Sequence, residues 1–386
     1  MIRLIALAAM IALPAHAACK LKTPDVAHAG KGCAHAWMDA NLKLNDIQTV
    51  GTHNSYHRFL SPKLYAQVLK ANPKAIGIDY DHPGLTQELN DGVRGLEIDV
   101  AYDPNGGVLA HPLGAKMSGE SPPEGFEQTM SKPGFKVLHI PDIDFRAACQ
   151  PYLACLTEVR AWSKAHPDHT PILIMSNAES GKSPVPGGVK LLPFDEAAFD
   201  AWDAEIRRVF KPGEVVTPDM VQGKYPTLRE AVLAGHWPKL GDARGKVMFA
   251  LDEEGAKLAT YRGKRKSLEG RMMFVNAGSK ADRDQPYAGY MTLNEADTDT
   301  ADIQAMVKAG FFVRTRADAD TTEARANDTK RRELAFQSGA QVVSTDYRHP
   351  DTRFGNDYQV RLPGGAITVC NPIRVTDRCN GATVEP

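Results

Sequence analysis

The feature that most constrains the fold is a series of eight short apolar segments that alternate with helical patterns along the chain. The predicted strands are residues 46–54, 92–100, 135–140, 170–177, 246–252, 271–276, 311–316 and 341–347. Between them, residues 194–210, 300–308 and 322–336 have the spacing of helices. Buried strands that alternate with helices are typical of a parallel (β/α)8 barrel, the TIM barrel. We therefore predict an α/β fold with one such barrel.

Length and composition fit a single catalytic domain. The chain has 386 residues, of which 42% are hydrophobic and 24% are charged, and these fractions are ordinary for a globular protein. Because α/β barrels commonly run about 250 residues or more as one unit, we predict one domain over residues 18–386. The formal net charge of −1 and the pI near 6.9 argue against a generally basic protein that binds nucleic acid.

The first 17 residues have the pattern of a cleavable signal peptide. Arg3 supplies positive charge, residues 4–13 form a short apolar stretch, and residues 15–17 match an A-x-A cleavage site. The apolar stretch is shorter than the about 20 residues that a membrane-spanning helix needs, and no later segment qualifies. We expect a secreted or periplasmic protein without a transmembrane segment.

All six cysteines lie beyond that signal peptide, and an even number in an exported protein indicates disulfide bonds. Their clustering along the chain favours three local bridges, namely Cys19–Cys33, Cys149–Cys155 and Cys370–Cys379. A zinc site is the alternative. It has little support because the chain contains no C-x-x-C motif.

Polar residues follow most of the predicted strands, at the end where TIM-barrel enzymes place their chemistry. In strand order they are His53 and Asn54, Glu97 and Asp99, His139, Asn177 and Glu179, Asp252, Arg314 and Arg316, and finally Asp346 and Tyr347. We expect these side chains to meet at one mouth of the barrel.

Two of these residues, Glu97 and Asp99, point to the same face because they lie two residues apart on a strand. Two inward carboxylates repel each other unless a cation or a proton lies between them. Asn54 adds a neutral oxygen, and carboxylate and amide oxygens are hard ligands that suit Ca²⁺. The sequence thus predicts a calcium site, with an ion-paired rim that includes Arg94 as the alternative.

The same set of groups suits the cleavage of a phosphodiester. That reaction needs a base for the attacking hydroxyl, an acid for the leaving oxygen and positive charge on the phosphoryl oxygens. His53 and a second histidine would transfer the protons, and Ca²⁺ would supply the charge. Arg314, Arg316 and Tyr347 are candidates for a head-group pocket, although the arginines could equally form salt bridges at the barrel rim.

Two motifs give the chain a resemblance to a known family. Residues 51–55 (GTHNS) and 95–99 (GLEID) together resemble the opening of the catalytic X region of phosphoinositide-specific phospholipases C, in their bacterial calcium-dependent branch. The resemblance covers residues 45–180 well and the last strands loosely. It implies a calcium-dependent phosphodiesterase on a TIM barrel, with an inositol phospholipid at a membrane surface as its substrate.

The resemblance also implies a role for each matching residue. His53 contacts the phosphoryl group and transfers a proton, His139 is the second acid or base, and Asn54, Glu97 and Asp99 bind Ca²⁺. Many relatives have a glutamate at the end of strand four, where this chain has Asn177. The remaining ligand is therefore Asn177, Glu179 or water, and the loss of a charge there would weaken calcium binding.

A second family on the same barrel provides the main alternative. The position of His111 after Gly106 and Gly107 is similar to glycerophosphodiester phosphodiesterases, so His111 would replace His139 as the second acid or base. Their first strand usually ends in His-Arg-Gly, whereas this one ends in His-Asn-Ser. That difference favours the phospholipase interpretation. A non-catalytic barrel that binds a sugar phosphate or a partner is the third possibility.

Overall fold

The computed structural model describes residue 26, residues 29–379 and residues 381–385. Eight parallel strands follow one another in chain order around a curled sheet. They are β1 (Ile47–Thr52), β2 (Gly95–Glu97), β3 (Ile172–Ser176), β4 (Val247–Leu251), β5 (Met273–Val275), β6 (Tyr290–Thr292), β7 (Phe312–Arg316) and β8 (Val342–Thr345). Parallel pairing runs from β5 through β4, β3, β2 and β1 to β8, β7 and β6. The predicted TIM-barrel fold is confirmed.

The two ends of the curled sheet meet between β5 and β6. Asn276, directly after β5, forms a parallel bridge with Tyr290. The amide of Ala277 donates a hydrogen bond to the carbonyl of Tyr290 at 3.0 Å. The curl therefore brings the carboxyl ends of all eight strands to one mouth, where TIM barrels hold their active sites.

The prediction of a barrel strand at residues 135–140 is wrong. Gly134–Val137 pairs antiparallel with Val100–Asp103 in a separate sheet, whose third strand is Ala178–Glu179. β6 takes its place among the eight barrel strands, and this strand was not predicted from the sequence. A short apolar run does not show which sheet it joins, and β6 has only three residues.

Helices cover the barrel and fill the segments between its strands. The longest are Tyr152–Ala165, Glu196–Val209 and Ala296–Ala309, and the last two confirm predicted helices. The predicted helix at 322–336 is divided into Thr322–Ala326 and Lys330–Gln337. The other α-helices are Lys31–Asn41, Pro62–Ala71, Leu85–Asn90, Leu113–Ser118, Phe126–Met130, Pro218–Gln222, Leu228–Leu233, Leu240–Ala243 and Gly255–Arg262. Within the described residues, no helix has the length and apolar character needed to cross a bilayer.

Short strands and 3-10 turns complete the architecture. Thr368–Cys370 runs antiparallel to β1 and pairs with Thr383–Glu385, and Val215–Val216 extends the sheet beside β4. A hairpin joins Gly181–Lys182 to Lys190–Leu191. The 3-10 helices are Leu44–Asp46, Pro73–Ile78, Thr352–Phe354 and Pro363–Gly365. The C-terminal strands thus pack against the start of β1, at the end of the barrel opposite the mouth.

Two of the predicted disulfide bonds are confirmed. Cys149 bonds to Cys155 with their α-carbons 5.4 Å apart, and Cys370 bonds to Cys379 with a separation of 5.9 Å. The predicted Cys19–Cys33 bridge and the predicted signal peptide lie outside the described residues, since Cys19 and residues 1–17 are not among them.

Replacing both Cys149 and Cys155 with serine is expected to lower the free energy of unfolding by about 2 kcal/mol, because the bridge restricts the unfolded chain. The bridge spans a sequence separation of 6 residues, which gives a small loop and hence a modest effect. Urea unfolding of both proteins, without reductant, measures the difference. An unchanged free energy of unfolding would contradict this prediction.

Candidate active site

β1 and β2 approach each other closely because each strand has a glycine at the point where they pair. Gly51 lies opposite Gly95 in the ladder. A β-carbon at Gly51 would lie 2.8 Å from the Val342 side chain, and one at Gly95 would lie 2.5 Å from it. Real β-carbons do not come this close to a neighbour, so any larger residue would push the strands apart. The two glycines therefore bring the polar residues that follow β1 and β2 together at the mouth.

The carboxylates of Glu97 and Asp99 are almost fully buried and held by specific donors. Arg314 Nη2 donates to Glu97 Oε2 at 2.7 Å. The Asn177 backbone amide donates to Asp99 Oδ1 at 2.7 Å, and the Tyr56 hydroxyl donates to Asp99 Oδ2 at 3.1 Å. Each carboxylate is thus fixed in one orientation at the barrel mouth.

The His53 ring is oriented by Asp346, which follows β8. His53 Nδ1 lies 2.7 Å from Asp346 Oδ1, and His53 Nε2 lies 4.0 Å from Glu97 Oε1. Because a carboxylate only accepts, Nδ1 bears the proton and Nε2 has the free lone pair. Burial, followed by the charge of Arg316, lowers the pKa of His53 well below its ordinary value. The ring is therefore neutral and can accept a proton at Nε2.

His139 lies on the opposite side of the carboxylate pair, in the loop after Gly134–Val137. Its Nδ1 is 3.2 Å from Glu179 Oε1 and 3.7 Å from Asp99 Oδ2. Burial alone would lower the pKa of His139, but the hydrogen bond to Glu179 and the charge of Asp99 raise it to about 9. His139 is therefore protonated near neutral pH and can donate a proton.

The oxygens of this cluster fit a hard cation. The Tyr56 hydroxyl lies 3.1 Å from Asp99 Oδ2 and 3.3 Å from Asn54 Oδ1, so these two oxygens are neighbours across this hydroxyl. Burial, Glu97 and Glu179 raise the pKa of Asp99 well above its ordinary value, which reflects negative charge crowded in a buried place. A Ca²⁺ ion would relieve that repulsion, and it prefers carboxylate and amide oxygens.

The two candidates for the remaining ligand differ in their surroundings. Asn177 Nδ2 donates to the carbonyl of Asp252 at 2.8 Å. Glu179 instead contributes to a cluster with Asp99 and His139, in which one ligand atom from each residue lies within 4.8 Å of the others. Glu179 therefore places a carboxylate oxygen within 4.8 Å of an Asp99 oxygen, on the side of His139.

Comparison with protein families assigns this arrangement to a known class. The family model of the Ca²⁺-dependent phosphoinositide phospholipases C matches residues 42–372. The chain belongs to this family. It is therefore a phosphodiesterase of the phospholipase C type, and its cofactor is Ca²⁺. No curated protein sequence matches the chain.

Several solved structures of bacterial enzymes are similar to this phospholipase. The apo calcium-dependent phosphoinositol-specific phospholipase C of a Gram-negative Pseudomonas species is 19% identical, over 86% of this chain and 96% of its own, with a TM-score of 0.52. A myo-inositol complex from the same species has the same identity and coverage and a TM-score of 0.50. The calcium-dependent phosphatidylinositol-specific phospholipase C of Streptomyces antibioticus is 19% identical, over 79% and 94%, with a TM-score of 0.50. At this identity the likeness supports the barrel fold.

The three predicted head-group residues of the phospholipase have partners in the structure. Arg314 is paired with Glu97, and Arg316 Nη2 donates to Asp346 Oδ2 at 2.8 Å. The alternative prediction of salt bridges at the mouth therefore describes both arginines. Tyr347 is 3% exposed, and its ring packs against the rings of Phe354 and Tyr358. A role of these residues in binding substrate stays a prediction.

The structure also separates the two candidates for the second histidine. His111 is 75% exposed, and its nearest charged partner is the equally exposed Glu127 at 3.8 Å. His139, in contrast, contacts Asp99 and Glu179. The phospholipase therefore brings His139, and not His111, next to the carboxylates.

Two tyrosines of the site, Tyr56 and Tyr80, were missed from the sequence, and Asp346 was placed at the mouth without a role. Asp346 orients His53, the Tyr80 hydroxyl accepts from Asn54 Nδ2 at 2.9 Å, and Tyr56 links Asn54 to Asp99. Only Asp346 had a signal, because β8 is the neighbour of β1 in any closed (β/α)8 barrel. The tyrosines have no motif that could have shown their roles.

Proposed function

We propose that this enzyme cleaves inositol phospholipids by acid and base catalysis with two histidines. One observation supports the proposal best. His53 Nε2 lies 4.0 Å from Glu97 and His139 Nδ1 lies 3.7 Å from Asp99, so a proton-transfer group flanks each carboxylate of the central pair. A phosphodiester placed at this pair would have one histidine on the side of the attacking hydroxyl and the other on the side of the leaving oxygen.

His53 acts as the base in this proposal. Asp346 and Arg316 form a chain behind the ring, with Asp346 accepting from both His53 Nδ1 and Arg316 Nη2. The free lone pair on Nε2 faces Glu97 and the mouth. His53 therefore accepts the proton from the inositol hydroxyl next to the phosphate, which attacks phosphorus from within the same molecule.

His139 acts as the acid in this proposal. Its Nδ1 is engaged by Glu179, which leaves Nε2 for the substrate. His139 donates its proton to the oxygen of the departing diacylglycerol as the P–O bond breaks. The product of this step is a cyclic inositol phosphate, since the attacking hydroxyl belongs to the inositol ring.

The calcium ligands in this proposal are Asn54, Glu97, Asp99 and Glu179. When bound, Ca²⁺ supplies positive charge to the phosphoryl oxygens. From the sequence, Asn177 was the first candidate for the last position. We now favour Glu179, because its carboxylate lies in the cluster with Asp99 whereas the Asn177 side chain is turned to the Asp252 carbonyl.

Replacing Glu179 with Gln is expected to raise the Ca²⁺ concentration for half-maximal activity by about tenfold or more, because a charged ligand becomes neutral. Asn177→Ala is the matched comparison, and we expect it to change that concentration by less than about threefold, since an uncharged side chain tunes affinity little. The measurement is activity as a function of free Ca²⁺. A larger shift for Asn177→Ala than for Glu179→Gln would restore Asn177 as the ligand.

We infer an inositol head group from the family and from the charges at the mouth. The family acts on phosphoinositides by its name, and the Pseudomonas structure contains myo-inositol. Arg314 and Arg316 contribute positive charge beside the position of the phosphate, while they remain paired with Glu97 and Asp346. This pairing keeps both guanidinium groups in place, which favours electrostatic stabilisation of the reacting phosphate.

A panel of three substrates tests the proposed function. Vesicles of phosphatidylinositol, soluble glycerophosphoinositol and glycerophosphocholine are each incubated with enzyme in Ca²⁺ or in EDTA. We expect cleavage of phosphatidylinositol in Ca²⁺, its loss in EDTA and its return when Ca²⁺ is added back. Preferential cleavage of glycerophosphocholine would support the glycerophosphodiesterase alternative and contradict the proposal.

We also propose that the chain acts outside the cytoplasm, at a membrane surface where its lipid substrate is found. The two observed disulfide bonds favour an oxidising compartment. The signal-peptide pattern of residues 1–17 points the same way.

A further inference from the structure

We propose that His57 and Asp144, a buried pair outside the catalytic cluster, are positioning residues for His139. The inference rests on the proposed function, in which His139 is the acid. Neither residue was singled out by the sequence analysis, and neither has a role in the mechanism given above.

The Asp144 carboxylate connects His139 to His57. Asp144 Oδ2 accepts from the His139 backbone amide at 3.1 Å. Asp144 Oδ1 lies 3.3 Å from His57 Nδ1, and the two side chains are 2% and 3% exposed. A carboxylate buried to this degree is costly unless it has partners, so Asp144 depends on the His139 amide and on the adjacent His57 ring.

The other side of His57 is fixed to the segment that follows β1. The His57 amide donates to the Asn54 carbonyl at 2.7 Å. Its Nε2 lies 3.1 Å from the Ile78 carbonyl, and its ring lies 4.5 Å from the ring of Tyr80. The pair therefore ties the backbone of His139 to the same segment that holds His53 and Asn54.

His139 needs such a tie because its own strand is not part of the barrel. Its side chain is 45% exposed, and Gly134–Val137 belongs to the separate small sheet. A second contact supports the same junction, since the Ala148 amide donates to the Tyr56 carbonyl at 2.7 Å. A displacement of a catalytic group by about 1 Å can cost about 100-fold in rate. The distance between the two histidines is therefore set partly by His57 and Asp144.

Kinetics of four variants test this inference. Asp144→Ala removes the acceptor, Asp144→Asn keeps an oxygen that the His139 amide can still donate to, and His57→Gln removes the partner. Asp203→Ala is the control. Like Asp144, Asp203 is 2% exposed and has a charged partner, in this case Arg271. It lies on the helix Glu196–Val209, outside the mouth. All four are assayed on phosphatidylinositol at saturating Ca²⁺, per folded molecule as measured by circular dichroism.

We expect Asp144→Ala to lower kcat by about 30- to 100-fold, with KM and the Ca²⁺ midpoint changed by less than about twofold, because His139 alone is displaced. Asp144→Asn should recover most of kcat, and His57→Gln should lower it by about tenfold. Asp203→Ala should lose thermal stability but keep its kcat. The inference is overturned if Asp144→Ala loses no more kcat than the control, or if Asp144→Asn fails to restore it.

A spectroscopic measurement keeps the inference testable if Asp144→Ala does not fold or if the enzyme cleaves no phosphatidylinositol. In protein labelled with ¹⁵N-histidine, the His139 amide resonance is assigned by its absence in His139→Gln. We expect this resonance to move in both Asp144→Asn and His57→Gln and to stay in place in Asp203→Ala. An unmoved resonance would show that the pair does not hold His139, whereas a moved resonance without activity would count only against the proposed function.

Discussion

Replacing His139 with Ala is expected to reduce the kcat for phosphatidylinositol cleavage by about 1,000-fold, within the range for loss of a general acid. His139 Nδ1 lies 3.2 Å from Glu179 and 3.7 Å from Asp99, and in the absence of Ca²⁺ these carboxylates raise the pKa of the ring to about 9 against the effect of burial. Without the proton of this ring the leaving oxygen departs as an alkoxide. Added Ca²⁺ should not restore the rate, because a proton donor and not a charge on the phosphate is missing.

The matched control for this variant is His111→Ala. His111 is 75% exposed and lies beside Glu127, away from the carboxylate pair, so we expect its kcat to be unchanged. Both variants should bind Ca²⁺ as the native enzyme does, which calorimetry can verify. The assignment of the acid would be reversed if His139→Ala kept more than about a tenth of the native kcat, or if His111→Ala lost most of the native kcat.

Replacing Glu97 with Gln is expected to raise the Ca²⁺ concentration for half-maximal activity by about 10- to 100-fold. One negative charge is lost, while the amide oxygen that replaces it can still coordinate. Activity should therefore return in part at high Ca²⁺, in contrast to His139→Ala. Titration of activity with Ca²⁺ in buffered solutions measures the shift.

Glu385→Gln is a control for the loss of a buried carboxylate–arginine pair. Glu385 accepts two hydrogen bonds from Arg94, and Glu97 accepts one from Arg314, but Glu385 lies at the opposite end of the barrel. Its substitution should lower stability and leave the Ca²⁺ midpoint unchanged. If added Ca²⁺ did not restore any activity to the Glu97→Gln enzyme, the native Glu97 carboxylate would act through Arg314 or His53 and not as a calcium ligand.

The barrel was largely predictable because most of its strands contain short apolar stretches and are followed by polar residues. β1 and β2 are the best examples, since GTHNS and GLEID combine a glycine for close strand approach with the groups of the site. Residues 135–140 misled the prediction because an apolar run in a small sheet has the same pattern as one in a barrel. β6 was missed because residues 135–140 already supplied the remaining predicted strand of the eight.

The site was less predictable, because several of its contacts join residues that are distant in sequence. Asp346 meets His53 only because β8 pairs with β1, and the register places Thr345 opposite Thr52. Asn177 and Glu179 could not be distinguished without the direction of their side chains. The pair of His57 and Asp144 depends on a loop outside the barrel, for which the sequence offers no periodic signal.

We propose that this enzyme transfers a phosphoryl group within an inositol phospholipid in a reaction that requires Ca²⁺. A ³¹P NMR time course of phosphatidylinositol with the enzyme tests it most directly, with one sample in Ca²⁺ and one in EDTA. We predict that the diester resonance is replaced by that of a five-membered cyclic phosphate in Ca²⁺ alone. Direct formation of inositol monophosphate with no cyclic intermediate, or equal conversion in EDTA, would contradict the account.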